Sequence, residues 1–484
     1  TWIASALGFL STVLIARRLG PEAVGTLCFG FGLAGGMAAA LLPGFAQAHT
    51  KRVAEGLDLG RCVSTMGVLQ LVLHSAMAAL VIAASPWWPL VIPEGVPPEV
   101  VLFLLIAQVL SNFAAILTGA FLGRQWALEY VSVLVASKVL RFAATVAVLI
   151  WVPDVRWVAM AYLVEGAAEL ALGAYVLYGR RGVALCPPDR DTFRSYWTHA
   201  RPLLVTNPIG MFQDSIDRVL VARWAGLAAA GYYQVARALW EVLGTLNAYP
   251  FQMLFTRLSQ LFASRRPGED AEARRVFASL VDKLLFIGVP VAFGLWALRE
   301  PAIMLLYGDR FLPAAAPLMI FVIAALVQSA LNPYHYVIYA LDEHARFIPV
   351  VLVRFVLYLA AMVATVPLWA GTGAALVRLL LVLFPAWVYV RWTRELVGIG
   401  FQRRTLMYAA GFGVLVVVNE GTRASLHALG VSFPLSLLAA MVVALAAYSG
   451  LLLSAHPGAV DNLKYSRDLL SPRRFAAFLK ADLS

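Results

Sequence analysis

"VLIARRLGPEAVG" (residues 13–25) and "VLVARWAGLAAAG" (residues 219–231) are two copies of one short motif. The copies align without a gap, share seven of their residues and begin 206 positions apart. In each copy a small polar and glycine-containing segment separates two apolar runs, which predicts a helix–turn–helix junction. A chain that contains this junction twice is predicted to consist of two related halves.

The composition indicates a protein that lies in a membrane. Hydrophobic residues make up 61% of the chain and charged residues 13%, with a mean hydropathy of +0.79, whereas soluble domains are about half apolar and a quarter charged. Apolar runs of about 20 residues, each long enough to cross a bilayer as a helix, recur along the chain. The predicted spans are 1–16, 24–48, 62–84, 99–122, 127–151, 157–178, 202–222, 230–255, 277–298, 314–341, 347–369, 372–395, 405–421 and 432–455. The predicted fold class is therefore an all-α polytopic membrane protein with about 14 transmembrane helices.

The positive charge follows the predicted topology. The formal net charge is +11, and most of the Lys and Arg residues fall in the loops after even-numbered spans. Because cytoplasmic loops carry an excess of Lys and Arg, we expect both termini to lie in the cytoplasm. We expect the protein in the inner membrane of the cell. Since the positive charge is explained by topology, we expect no nucleic-acid partner. Because Thr1 already lies inside an apolar run, we also expect further residues upstream of it.

The repeat determines the predicted domain organisation. It pairs the junction of spans 1 and 2 with that of spans 7 and 8, and an offset of six spans keeps the same orientation in the membrane, which is a parallel repeat. We therefore predict two six-helix lobes, 1–178 and 202–395, joined by a cytoplasmic loop, 179–201. Two further helices occupy 396–455, and the tail, 456–484, is predicted to lie in the cytoplasm, as an interfacial helix or as a solvated end.

Four segments, in this order along the chain, resemble the oligosaccharide flippases of the MOP (multidrug/oligosaccharidyl-lipid/polysaccharide) superfamily. They are "ARRLGPEAVG", "DRVLVARWAGLAAAGYYQVA", "YPFQMLFTRLSQL" and "LLYGDRFLPAAAPL". The resemblance covers residues 1 to about 395 and is closest to the bacterial O-antigen and exopolysaccharide flippases. It implies two lobes around a cavity that opens alternately to each side, and a polyprenyl-pyrophosphate-linked oligosaccharide as cargo that moves from the cytoplasmic to the outer leaflet.

Cations inside predicted spans are the candidate cargo ligands, because a diphosphate in hydrocarbon needs charged partners. Lys138 and Arg141 are three residues apart and share one helix face. Arg354 lies on the eleventh span, the equivalent of the fifth, and Arg378 and Arg237 complete the candidate set. The alternative is that Glu165 and Glu169, four residues apart on the sixth span, neutralise Lys138 and Arg141.

Two further groups of residues are candidates for coupling and for structure. Asp214 is the candidate for coupling transport to a proton or a sodium ion, and Glu165 and Glu169 are secondary candidates. The residues assigned to an outer gate or to bracing of the helix ends are Arg17, Asp217, Arg218 and Arg223. Arg237 has an alternative role in a bridge within the lobe to Glu241, four residues on.

Three classes of function compete at this point. A flippase is favoured by the cations in the spans. A lipid II flippase or an ion-coupled small-molecule or drug exporter of the same superfamily is the alternative. A membrane glycosyl-transfer enzyme is less favoured, because the loops are short and the sequence contains no nucleotide, metal or nucleophile–base motif. We predict no enzymatic activity, no cofactor and no metal; the expected partners are membrane lipids and other polysaccharide-assembly proteins.

Overall fold

The chain folds into a series of helices. The computed structural model describes residues 2–41, 43–201, 203–264, 269–341, 343 and 346–455, and no strand occurs among them. The predicted tail, 456–484, lies outside the described residues. The α-helices up to residue 200 are α1 (Trp2–Leu19), α2 (Pro21–Leu41), α3 (Pro43–Ala54), α4 (Leu59–Ala83), α5 (Trp88–Val91), α6 (Pro98–Gly123), α7 (Ala127–Trp151), α8 (Val155–Ala174) and α9 (Arg190–Ala200). Those that follow are α10 (Leu203–Ala225), α11 (Leu227–Ser264), α12 (Glu269–Ala297), α13 (Arg299–Tyr307), α14 (Ala315–Ala340), α15 (Phe347–Val397), α16 (Arg404–Ala428) and α17 (Phe433–Ala455).

The helices correspond closely to the predicted spans, and ten stretches of the described residues are long and apolar enough to cross a membrane. One of them, α15, covers two predicted spans and is interrupted at Ala370, whose φ of 50° and ψ of −132° are not helical. The thirteenth span was predicted to end at 421, but α16 continues to Ala428. The chain is thus a multi-pass membrane protein.

The residues group into two compact units. The first unit comprises 1–238, 303–317 and 345–377. Part of its core is an apolar cluster that α3, α4, α6 and α9 share, in which Phe121 and Tyr196 are fully buried. The two six-helix lobes are defined by the repeat and stay a prediction.

The second unit comprises 239–302, 318–344 and 378–484. Within it α16 packs against α12 and α17. The hydroxyl of Tyr408 donates to Asp282 Oδ1 at 3.1 Å, and Arg299 Nη1 lies 3.3 Å from Glu420 Oε1. The ion pair with Arg299 is consistent with Glu420 lying inside α16. A carboxylate with a cationic partner is tolerated within a span, so the helix does not have to end before it.

Candidate functional site

A cavity of about 370 Å³ in the first unit contains two of the predicted cations. It lies among α1, α7 and α8, and its lining residues are Ala4, Ser5, Gly8, Thr12, Leu134, Lys138, Arg141 and Tyr162. The two cations are neighbours on the lining because positions i and i+3 of α7 share a face. The cavity therefore presents a lysine and an arginine next to small and hydroxyl side chains of α1.

Both cations are paired with one carboxylate of α8. Lys138 Nζ donates to Glu165 Oε1, and Arg141 Nη1 lies 2.9 Å from Glu165 Oε2. Arg141 and Glu165 are each only 7% exposed. We call Lys138, Arg141 and Glu165 the cavity cluster. These three residues have a formal charge of +1, and Glu169, the other predicted partner, lies near enough to interact electrostatically with Lys138 and Glu165.

The guanidinium of Arg141 is held by packing as well as by charge. Its Cζ lies 4.9 Å from the ring centroid of Tyr162, within the range of a cation–π contact. A Cβ added at Gly8 would lie 3.2 Å from Arg141 Nη2, so the glycine leaves room for the guanidinium against α1. Arg141 Nε has no hydrogen-bond partner among the described residues, and one donor of this buried side chain is thus unused.

The remaining predicted cargo cations do not line this cavity. Arg354 of α15 lies in the first unit, where its Nη2 donates to Gln213 Oε1 at 3.0 Å and its buried Nε has no partner in the described part of the chain. Arg378 is half-buried and belongs to the second unit. Glu169, one turn beyond Glu165, is half-buried.

A second buried ionic group lies between α10 and the start of α11. Asp217 is fully buried; its Oδ2 accepts a hydrogen bond from the Tyr233 hydroxyl and lies 3.3 Å from Arg237 Nη1. Arg237 Nη1 also donates to the carbonyl of Asp214 at 2.9 Å. We call Asp217, Tyr233 and Arg237 the closed cluster; among these three residues one cation faces one carboxylate.

Several predicted roles can be compared with this arrangement. The side chain of Asp214, the candidate for ion coupling, is exposed, and the buried carboxylate is that of Asp217. Arg218 contributes its main-chain N–H to Asp217 Oδ1. Tyr233 was missed as a ligand of Asp217, although its position in the buried "GYY" segment was a signal for a partnered hydroxyl.

The two repeated arginines each bind a helix end from the other half of the sequence. Arg17, in the last turn of α1, donates through Nε to the carbonyl of Leu306 at 2.8 Å and through Nη2 to that of Leu305. Arg223, in the last turn of α10, donates through Nε to the carbonyl of Leu90 at 2.9 Å. Leu305 and Leu306 lie in the last turn of α13 and Leu90 in that of α5, where carbonyls lack helical partners. Each arginine therefore caps a short helix of the opposite half.

The two copies of the junction also touch each other directly. A Cβ added at Gly25 would lie 1.7 Å from the Leu227 carbonyl oxygen, and one added at Gly231 would lie 2.1 Å from that of Pro21. These pairs are equivalent under the 206-residue offset of the repeat. Only glycine allows such close approach of two helix backbones. We call the two arginine caps and this glycine contact the junction clasp.

Comparison with known proteins identifies the class to which this chain belongs. The sequence model of the family described as polysaccharide biosynthesis protein matches residues 1–262, more than half of the chain. The chain therefore belongs to the polysaccharide biosynthesis protein family. Teichuronic acid biosynthesis protein TuaB of Bacillus subtilis (strain 168) is 23% identical over 119 residues, which are 25% of this chain and 24% of TuaB. The match thus spans about a quarter of the length of that curated relative.

The solved structures most useful for comparison belong to MOP-superfamily transporters. The lipid II flippase MurJ in an inward closed conformation has a TM-score of 0.71 at 12% identity, over 94% of this chain and 98% of MurJ. An inward-facing multidrug resistance MATE family transporter of the MOP superfamily has a TM-score of 0.68 at 13% identity, over 81% of this chain and 94% of that chain. The predicted fold class, the MOP flippase fold, is confirmed.

Proposed function

We propose that this protein is a flippase that moves a polyprenyl-pyrophosphate-linked oligosaccharide from the cytoplasmic to the outer leaflet by alternating access, and that it is a transporter, not an enzyme. The observation that carries the proposal is the cavity inside a helical membrane bundle, lined by a lysine and an arginine. Family membership in polysaccharide biosynthesis supports a lipid-linked saccharide as the cargo class.

The cavity cluster is the proposed binding site for the diphosphate. Arginine holds phosphate oxygens through two parallel N–H donors, and lysine adds a compact charge. In the absence of cargo, Glu165 holds the two cations in place and reduces the cost of their burial. When a diphosphate enters, it replaces Glu165 as the partner of Lys138 and Arg141, so ion pairing and cargo binding are two stages of one cycle.

The other charged candidates have proposed roles around this step. Arg354 and Arg378 are further candidate cargo ligands along the path, whereas Arg237, which faces the buried Asp217, is assigned a bracing role. A carboxylate that is released from its cations takes up a proton or a sodium ion, which makes Glu165 a proposed coupling group alongside Asp214 and Glu169.

The junction clasp is the proposed outer gate. Its charge-assisted caps and glycine contact join residues from both halves of the sequence at one end of the bundle, and opening at that end requires these bonds to break. The proposed orientation places this end on the outer face of the inner membrane and both termini in the cytoplasm, as the distribution of Lys and Arg suggests.

A translocation assay tests the proposal. The protein is reconstituted in proteoliposomes with a fluorescent polyprenyl-pyrophosphate sugar, and its arrival in the far leaflet is followed by chemical quenching. We expect Lys138→Ala and Arg141→Ala to slow translocation at least tenfold, because removing a charge-assisted contact to phosphate costs about 1.5–3 kcal/mol. Arg354→Ala tests the second proposed contact in the same way.

Arg156→Ala is the matched control, since Arg156 is exposed at the start of α8 and lies 4.0 Å from Glu99. It should translocate at the wild-type rate. Wild-type rates in all three site variants would refute the assigned site, whereas absence of any sugar-lipid translocation together with efflux of cationic drugs would favour the exporter and refute the flippase.

A further inference from the structure

The short helix α9 has one buried face and one exposed face of unusual composition. Its buried residues Thr192, Tyr196 and Ala200 recur every four positions. Exposed residues at spacings of three and four share one face; they are Arg190, Phe193, Arg194 and Trp197, followed by Arg201 directly after the helix. Phe193 and Trp197 are 41% and 46% exposed.

The buried face of α9 packs against α3 and α4, and His49 of α3 continues the contact to α6. The Tyr196 hydroxyl lies 2.9 Å from His49 Nδ1 and 3.2 Å from the carbonyl of Cys62. His49 Nε2 donates to the carbonyl of Ile116 at 3.0 Å. At the start of the helix, Asp189 accepts the main-chain N–H of Thr192 at 2.9 Å, which is a standard N-cap.

These contacts fix α9 at the level of the membrane boundary. Cys62 lies in the first turn of α4, and Thr65, whose hydroxyl accepts the main-chain N–H of Asp189 at 2.9 Å, lies one turn further on. The candidate membrane span begins at Leu59. A helix that packs against the first two turns of a span lies where hydrocarbon gives way to the polar headgroups.

The exposed face carries uncompensated positive charge at this level. Arg190, Arg194 and Arg201 form no ion pair with any described residue. Of the nearby acids, Asp189 is occupied as the helix cap and Glu55 by Lys51 and Arg52; Asp191 is exposed three residues before Arg194, and three arginines outnumber it. Burial, and then the neighbouring Lys51 and Arg52, lowers the pKa of His199, which agrees with a positive local field.

We propose that the exposed face of α9 is a binding surface for anionic phospholipid headgroups of the membrane in which the protein lies. The three guanidinium groups pair with lipid phosphates, and Phe193 and Trp197 enter the interface, where amphipathic and aromatic side chains are favoured. The charge selects anionic over zwitterionic lipids. This surface is separate from the cargo cavity and requires no assumption about the cargo.

The test measures lipid selectivity of the whole protein in vesicles. The protein is reconstituted in phosphatidylcholine with a trace of nitroxide-labelled phosphatidylglycerol or phosphatidylcholine, and electron paramagnetic resonance reports the fraction of each that is immobilised at the protein. We expect a several-fold preference for phosphatidylglycerol that falls towards one in R190Q/R194Q/R201Q, since a basic residue near the surface contributes up to about fivefold. High salt should weaken the wild-type preference similarly.

The control is R257Q/R391Q, because Arg257 and Arg391 are exposed but already paired with Glu272 and Glu395. This variant should keep the wild-type preference, and thermal unfolding should show both variants folded. A triple variant that stays folded and keeps its preference for phosphatidylglycerol would refute the proposal. Loss of the preference in the control variant alone would refute it as well, and an acidic protein that binds α9 while lipid selectivity is unchanged would assign the surface to that partner.

Discussion

The cavity cluster and the closed cluster are both buried ionic groups, yet they differ in the ratio of cations to carboxylates, and the cavity cluster adjoins a cavity. In the closed cluster one arginine faces one aspartate, and a tyrosine hydroxyl donates to the same carboxylate. In the cavity cluster two cations share Glu165, next to about 370 Å³ of open volume.

The comparison indicates how a buried charge can serve structure or binding. A buried arginine that faces a buried aspartate is already paired, and its energetic role is to hold α10 against α11. A cluster with a surplus cation and an adjoining cavity can accept an anion without a large rearrangement. The surplus charge, more than burial itself, therefore distinguishes the proposed binding site.

The largest expected effect comes from breaking the closed cluster. Asp217→Asn removes the buried carboxylate that faces Arg237, which should destabilise the protein by about 3–5 kcal/mol. Thermal unfolding in detergent measures the loss. The double variant D217N/R237M should recover part of it, and a D217N protein as stable as wild type would remove the distinction between the two clusters.

The next prediction concerns the buried, uncharged side chain of His49 and the dependence of stability on pH. His49 lies in α3, outside the candidate spans, and burial lowers its pKa to about 4. Because the unfolded chain takes up the proton first, at its ordinary pKa of about 6.5, stability present above pH 6.5 is lost as the pH falls towards 4.

Unfolding measured against pH for wild type and His49→Gln tests this directly. The stability difference between them should shrink by up to about 3 kcal/mol across that interval, since one pKa unit corresponds to about 1.4 kcal/mol. A difference that is independent of pH would show that His49 keeps its ordinary pKa.

Glu165→Gln removes the shared carboxylate of the cavity cluster and raises its charge from +1 to +2. We expect a loss of about 1–3 kcal/mol without ligand, because both cations lose their charged partner. Added inorganic pyrophosphate should restore stability, and the thermal shift it causes should exceed that of wild type. An equal or smaller shift would show that pyrophosphate and Glu165 do not compete for the same cations.

The smallest effect on stability is expected for Lys138→Gln. Arg141 and Glu165 remain paired at 2.9 Å in this variant, and Lys138 is the more exposed of the two cations. The loss should stay below about 1 kcal/mol, although translocation falls strongly. A loss as large as that of D217N would mean that the cavity cluster is as structural as the closed one.

Much of the fold was predictable because bilayer helices leave a strong sequence signal. Apolar runs of fixed length located the helices, and the spans on either side of residue 370 were predicted separately although α15 is continuous apart from its kink. The end of α16 was not predictable in this way. Glu420 and Arg423 resemble a helix end in isolation, and only the contact with Arg299 and Glu300 accounts for their position within the helix.

The site was predictable in its residue types and only partly in its pairings. The spacing of Lys138 and Arg141 placed them on one helix face. Glu165 was predicted as their alternative partner because it is a carboxylate inside the neighbouring span. The contact of Arg237 with Asp217 was not predictable, because Asp217 becomes near only when α10 packs against α11. Sequence periodicity shows which residues share a face of one helix. It does not show which residues of two different helices come into contact.

The backbone contact of Gly25 with Leu227 and of Gly231 with Pro21 has a consequence for how the two halves can diverge. Since each copy fills the space that the other leaves, a larger residue at either glycine displaces both turns together. An inserted residue in one turn would likewise slip the register of the opposite one. Each copy of the junction therefore limits the residues that the other copy can accept. A change at one of the two turns requires a compensating change at the other.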